Sequence, residues 1–111
     1  MRYLLMIAGD ETAEAHQDDG CGGWGEDLAR RGKILDGGGL RPPSEATTIR
    51  VRDGEVLLTD GPFTEAKEQI GGYVVLDCDD LDEALEIAAR HPAATYGSIE
   101  VRPLLVPGEP A

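Results

Sequence analysis

The chain has 111 residues, 41% of them hydrophobic, which is enough for one domain with a core of ordinary size and too few for a second. Twenty-two acidic residues against ten basic ones give a formal charge of -12. Such a surface repels nucleic-acid phosphates and anionic headgroups, so direct DNA binding and membrane-surface binding are not expected.

Arg2 to Ala8 opens the chain with apolar residues on both alternating faces, Tyr3, Leu5 and Ile7 on one and Leu4 and Met6 on the other. Asp10 and Glu11 follow at once, so the run is too short for a spanning helix or a secretory signal, and we read a strand in a cytoplasmic protein. The two cysteines, Cys21 and Cys78, lie in unlike contexts and are expected as free thiols. Residues 11 to 31 hold the first helical connection. Asp18-Asp19-Gly20-Cys21-Gly22-Gly23 breaks it into an irregular loop before a short helix from about Gly25 to Arg31. Lys33 to Asp36 resumes as a strand, and Gly37-Gly38-Gly39-Leu40-Arg41-Pro42-Pro43 reads as a loop. A glycine cradle for phosphate needs a following helix N-terminus, and here prolines follow.

Thr47 to Thr59 carries the clearest local signal. TTIRVR and EVLLT flank Asp53-Gly54, the pair suited to a two-residue type I′ turn, so a β-hairpin is predicted with Arg52 facing Glu55, Val51 facing Val56 and Ile49 facing Leu58. Gln69 to Asp77 forms the next strand, where Tyr73, Val74, Val75 and Leu76 are again apolar on both faces. Asp80 to Arg90 is a helix with Leu81, Ala84, Leu85 and Ala88 in helical spacing and a capping-box pair in Asp80 and Glu83; Pro92 ends it. Ser98 to Leu104 closes the domain as a strand, with Ile99 and Val101 on one face and Glu100 and Arg102 on the other. A single domain over residues 1–106 and a disordered tail over 107–111 are expected.

The order is βαββαβ with a hairpin inserted between its halves, an α+β, ferredoxin-like sandwich. Two helices cover one face of such a sheet, while two strands are apolar on both. The open face must therefore meet something, and a second copy giving a homodimer is the simplest candidate.

The opening MRYLLMI, the stretch TDGPFTEAKEQIGGYVVLD, the helix DLDEALEIAARHPAA and the closing GSIEVRP resemble the DGPF-domain proteins of the YCII-related family and occur in that family's order. The resemblance implies a dimeric α+β barrel. It also implies kinship with small cofactor-free enzymes acting on ring-containing substrates, and, for some members, genes beside extracytoplasmic-function sigma factors. In the YCII branch a histidine on the first helix pairs with an aspartate just before a proline after the second helix. Here that proline follows His91, and Cys21 to Trp24 offer no histidine, so the pair is not carried over.

Several residues are candidates for chemistry. Asp60 precedes Gly61-Pro62-Phe63, where Pro62 suits the first position of a short helical turn running toward Lys67. Asp60 either pins that corner or stands with Lys67 and Glu68 at the mouth of the dimer cleft. Glu100 and Arg102 share the face opposite the helices, where they either pair or serve a ligand, Arg102 recognising an anion and Glu100 acting as base. Tyr73 joins Lys67, Glu68 and Arg102 as a ligand-binding candidate. His91 is read as a cation capping the end of the second helix, and by fold analogy also as the histidine nearest the cleft and so a proton-transfer candidate. Trp24 reads as a core or interface aromatic. No Ser-His-Asp order, metal-ligand cluster or dinucleotide fingerprint can be assembled, and no cofactor is expected. Two functions follow: a small-molecule-binding barrel performing acid–base chemistry, or a non-catalytic module that meets a basic partner in a sigma-factor pathway.

Overall fold

A computed structural model of the chain describes residues 1–10, 23–62 and 68–111. In chain order its elements are β1 (Arg2–Asp10), α1 (Trp24–Arg30), β2 (Ile34–Gly39), β3 (Thr47–Arg52), β4 (Glu55–Asp60), β5 (Glu68–Asp77), α2 (Leu81–Ala89) and β6 (Ser98–Pro103). β2, β5, β1 and β6 lie side by side in that order, each neighbouring pair antiparallel, while β3 and β4 form a sheet of their own. This is the expected ferredoxin-like α+β sandwich with an inserted hairpin. The irregular loop predicted before α1 and the turn after Pro62 lie outside the described residues.

Alternation in β1 and β5 sends Tyr3, Leu5, Val74 and Leu76 to one face, where they meet Leu28 of α1 and Ala84, Ile87 and Ala88 of α2. Leu5 and Leu76 are fully buried, each contributing roughly 1.5–3 kcal/mol of transfer free energy. Ile7, Ile34, Ile99 and Val101 pack around this core, so the inward face predicted for β6 is observed. Cys78 is buried as a free thiol, and that burial pushes its pKa up.

Two expectations need correction. The stripe predicted for α2 is rotated, because Ala84, Ile87 and Ala88 face the sheet while Leu81 and Leu85 are each 46% exposed. Alanines at i and i+4 let the helix lie close to the strands, and Ile87 then fills the space between them. The glycine run is also strand rather than loop, since Gly37, Gly38 and Gly39 pair with Val74, Tyr73 and Gly72. Packing explains this: a Cβ on Gly37 would stand 3.0 Å from the Tyr73 carbonyl oxygen, and one on Gly38 would meet the Tyr73 ring at 3.7 Å. Glycine is needed to let β2 approach β5, and the tertiary pairing overrides its weak strand propensity.

The hairpin follows its sequence. Ile49 pairs with Leu58, Val51 with Val56 and Arg52 with Glu55. Asp53 and Gly54 take φ of 50° and 78°, the two positive values that a type I′ turn demands. Its base is closed by the Gly61 N–H donating to Ala46 O (2.7 Å) and the Thr48 hydroxyl donating to Gly61 O (2.8 Å).

The start of β2 is tied to the start of α2. Asp80 Oδ1 caps the helix by accepting from the Glu83 N–H (2.9 Å), and Glu83 accepts from the Asp79 N–H (2.8 Å) and from Lys33 Nζ (3.2 Å). These bonds hold the Glu83 carboxyl below its ordinary pKa, the Asp79 N–H first and Lys33 second, and the bond to Glu83 raises Lys33. Among the described residues the helices lie on one side of the sheet, and the molecule is a plate of 47 × 42 × 19 Å with a radius of gyration of 15.9 Å, against about 13 Å for a compact domain of this length.

Candidate functional site

The sheet face turned away from the helices is built from the other half of each strand's alternation. Register alone lays out its rows. In one, Asp36 of β2 lies beside Val75 of β5, Leu4 of β1 and Arg102 of β6; in the next, Gly38 lies beside Tyr73, Met6 and Glu100. Leu4, Met6, Tyr73 and Val75 are half-buried and form an apolar centre, and the two edge strands carry the charges. Gly38 leaves room for the Tyr73 ring to lie toward β2.

Three candidates meet here: Tyr73, Glu100 and Arg102. Arg102 Nη2 contacts Glu100 Oε2 directly, two residues apart on β6, with side chains 68% and 52% exposed. Of the two alternatives left open by the sequence, the chain by itself forms the pair. At that exposure an ion pair contributes about 0–1 kcal/mol, so the contact aims the guanidinium without holding the fold. The contact engages Nη2 of the five-donor guanidinium.

Asp36 completes the row, and sequence reasoning missed it. Leu35 bulges from β2, so the register jumps from Ile34 opposite Leu76 to Asp36 opposite Val75 and breaks the alternation that would have revealed its direction. Its carboxylate accepts from the Gly37 N–H (2.8 Å) and stays exposed. The signal available was an aspartate in a short apolar strand, an inward-pointing charge of the kind that edge strands use.

The other candidates stand elsewhere. Asp60 ends β4, paired with Thr47 in the hairpin, and is exposed. Lys67 lies outside the described residues, and Glu68 begins β5 opposite Asp10. His91 is placed on the helix-covered side, 5% exposed. Its Nδ1 accepts from the Ala93 N–H (2.9 Å), capping the short turn Pro92–Thr95, and its ring meets Trp24 edge-to-face with centroids 4.8 Å apart. A nitrogen that accepts carries no proton, so His91 caps the following turn as a neutral group and does not cap α2 as a cation. Trp24 fulfils its core reading, its Nε1–H donating to Ile87 O (2.9 Å).

A groove of about 340 Å³ lies beside that pair, between α1 and α2, lined by Trp24, Leu28, Ile87 and Pro92. It is the wrong concavity for the candidates above. Its two cations are already engaged, Arg31 with Asp27 (3.3 Å) and Arg90 with Glu86 (2.9 Å). Among the described residues, α1 and α2 both pack on the other face of the sheet.

Comparison with known proteins agrees with this architecture. The model of the YCII-related domain matches residues 1–106. An uncharacterised protein of Rhizobium meliloti (strain 1021), R00369, is 47% identical over 74 residues, which are 63% of this chain and 60% of that protein; the match thus spans less than two thirds of the relative's length. Among solved structures, 5-chloro-2-hydroxyhydroquinone dehydrochlorinase from Burkholderia phenoliruptrix AC1100, in complex with 2,5-dihydroxybenzoquinone, superposes with a TM-score of 0.56 over 95% of this chain and 94% of that one. At 16% identity, that is a likeness of fold.

Proposed function

The chain belongs to the YCII-related family, and from that premise we propose that its open sheet face, closed by a second copy, binds a small polar or ring-containing molecule and performs acid–base chemistry on it without a cofactor. The observation that supports this reading is the row of charges beside an uncovered apolar face: Arg102 and Glu100 on β6 next to Met6, Leu4, Tyr73 and Val75. Covered sites of this composition are the usual form of small-molecule pockets, an apolar floor with a few convergent polar groups.

The roles follow from the groups. Tyr73 and Met6 give a ring a flat, polarizable floor. Arg102, already steered by Glu100, offers its remaining fork to an anionic oxygen. Glu100 takes the proton from a carbon or hydroxyl held beside it. Asp60, Lys67 and Glu68 belong to the mouth of the cleft in this proposal. His91 is left in its structural place.

The fold neighbour's bound molecule supplies a probe. Titration with 2,5-dihydroxybenzoquinone, followed by its visible absorption, should give saturable binding to the wild-type protein. Arg102→Lys keeps the charge and loses the fork, so binding should weaken by about 10-fold or more with the assembly unchanged. A wild-type dimer that binds no hydroxylated quinone would remove the ring-substrate reading.

The charge of -12 favours a second reading, in which the acidic surface docks a basic protein of a sigma-factor pathway. Such docking would weaken steeply with salt, unlike ligand uptake in a covered cleft. The buried free thiol of Cys78 suits a reducing cytoplasm under either reading.

A further inference from the structure

Among the described residues β3 and β4 pair only with each other, so each keeps one free edge. The edge of β4 is the bare one. All six of its residues are exposed, its register runs without a shift, and its middle reads Val56-Leu57-Leu58. Natural sheets guard such edges with bulges, proline or charge, because unpaired N–H and C=O groups recruit another strand. The other edges carry those guards: β2 has the bulge at Leu35, β6 has the Glu100–Arg102 pair and Pro103, and β3 has Arg50 and Arg52. The middle of β4 has none.

The ladder fixes which groups are free. Arg52 and Glu55 flank the two-residue turn as a hydrogen-bonded pair, so Glu55, Leu57 and Thr59 turn their backbone groups to β3, while Val56 and Leu58 turn theirs to the open edge. Ile49, Val51, Val56 and Leu58 share one face of the hairpin and are between 57% and 68% exposed. A strand added beside β4 would be held by backbone bonds and would extend that apolar face. Charge selects what is added. β4 begins at Glu55, beside Asp53 of the turn, and ends at Asp60, and both arginines of the hairpin stand on the far strand. A second copy pairing antiparallel about Leu57 would match apolar residues but bring the acidic end of one β4 against the acidic turn of the other, in a chain already at -12. An extended segment with Lys or Arg at its ends answers the same acids with opposite charge.

We propose that β4 is a docking edge that takes an extended segment of a basic protein as a further strand of the hairpin, with apolar residues beside Val56 and Leu58 and Lys or Arg beside Glu55 and Asp60. This rests on the second reading given above, and it names the surface and the form of the partner. It uses nothing of the open sheet face.

The probe is a capped peptide, Lys-Thr-Val-Thr-Val-Lys, which sets these residue types opposite β4 in antiparallel register. It is titrated into the wild-type protein while amide hydrogen exchange is followed by NMR. Val56 and Leu58 should exchange at least about 10-fold more slowly at saturation, whereas Glu55, Leu57 and Thr59, already bonded to β3, should change little. Methylating the valine nitrogens of the peptide removes the donors that face β4 and should weaken binding about 10-fold, with the protein itself unaltered. Protection of Val56 and Leu58 that needs no peptide and grows with protein concentration would give the edge to a second copy and overturn the proposal. Equal binding of the peptide with glutamate in place of lysine would do the same, as would no binding at millimolar peptide. Salt-sensitive binding that leaves Val56 and Leu58 exchanging as before would overturn the docking edge while the acidic surface still stood as a docking site.

Discussion

Gly97 precedes β6 where the chain passes against β1, and a Cβ there would collide with the Ala8 carbonyl oxygen. Backbone on both sides cannot move aside as a flexible side chain can. Gly97→Ala should therefore lower stability by about 2 kcal/mol or more in chemical denaturation, whereas Gly25→Ala, with open space around it, should be tolerated. Glu83 makes a pH prediction. Its folded pKa lies below the ordinary 4.5, so it contributes stability above that value which is lost as pH falls through the depressed pKa. Lys33 is raised above 10.5, so its contribution is present below that value and lost at higher pH. The pair is about a quarter exposed, so solvent keeps the effect modest. The melting-temperature gap between wild type and Glu83→Gln should shrink from pH 7 toward pH 3, and a constant gap would contradict the linkage. Alternation alone made the direction of Glu100 and Arg102 readable. Asp36 was hidden by the Leu35 bulge, and the role of His91 by its burial against Trp24, which no local pattern encodes.

Elements were more legible than side chains wherever the chemistry is local. Asp53-Gly54 specified both the hairpin and its register, and Asp80 with Glu83 marked the start of α2, because turns and caps act within a few residues. The glycine strand and the rotation of α2 depend on partners distant in sequence. Leucine spacing by itself could not reveal that two alanines would set the helix close to the sheet. The rotation is testable with two truncations. Ile87→Ala removes a buried side chain and should cost about 2–4 kcal/mol, against under about 1 kcal/mol for the half-exposed Leu85→Ala. The reverse order in urea denaturation would restore the stripe predicted from sequence.

At the scale of the molecule, a sheet that the described helices cover on one side gives a plate 19 Å thick whose second face is apolar in the middle and charged at its edges. The need for cover was readable from two strands apolar on both faces. Glu100 and Arg102 at one edge were readable too, whereas Asp36 at the other was hidden by a bulge. In the function proposed above, a second copy would supply the cover and the low-dielectric setting for Arg102 and Glu100, which is how fold and function would connect. Native mass spectrometry of the purified protein tests that connection most directly. The account predicts a dimer, retaining a small molecule that is lost on dissociation into single chains. A protein that remains monomeric across the concentrations at which it is folded would contradict it.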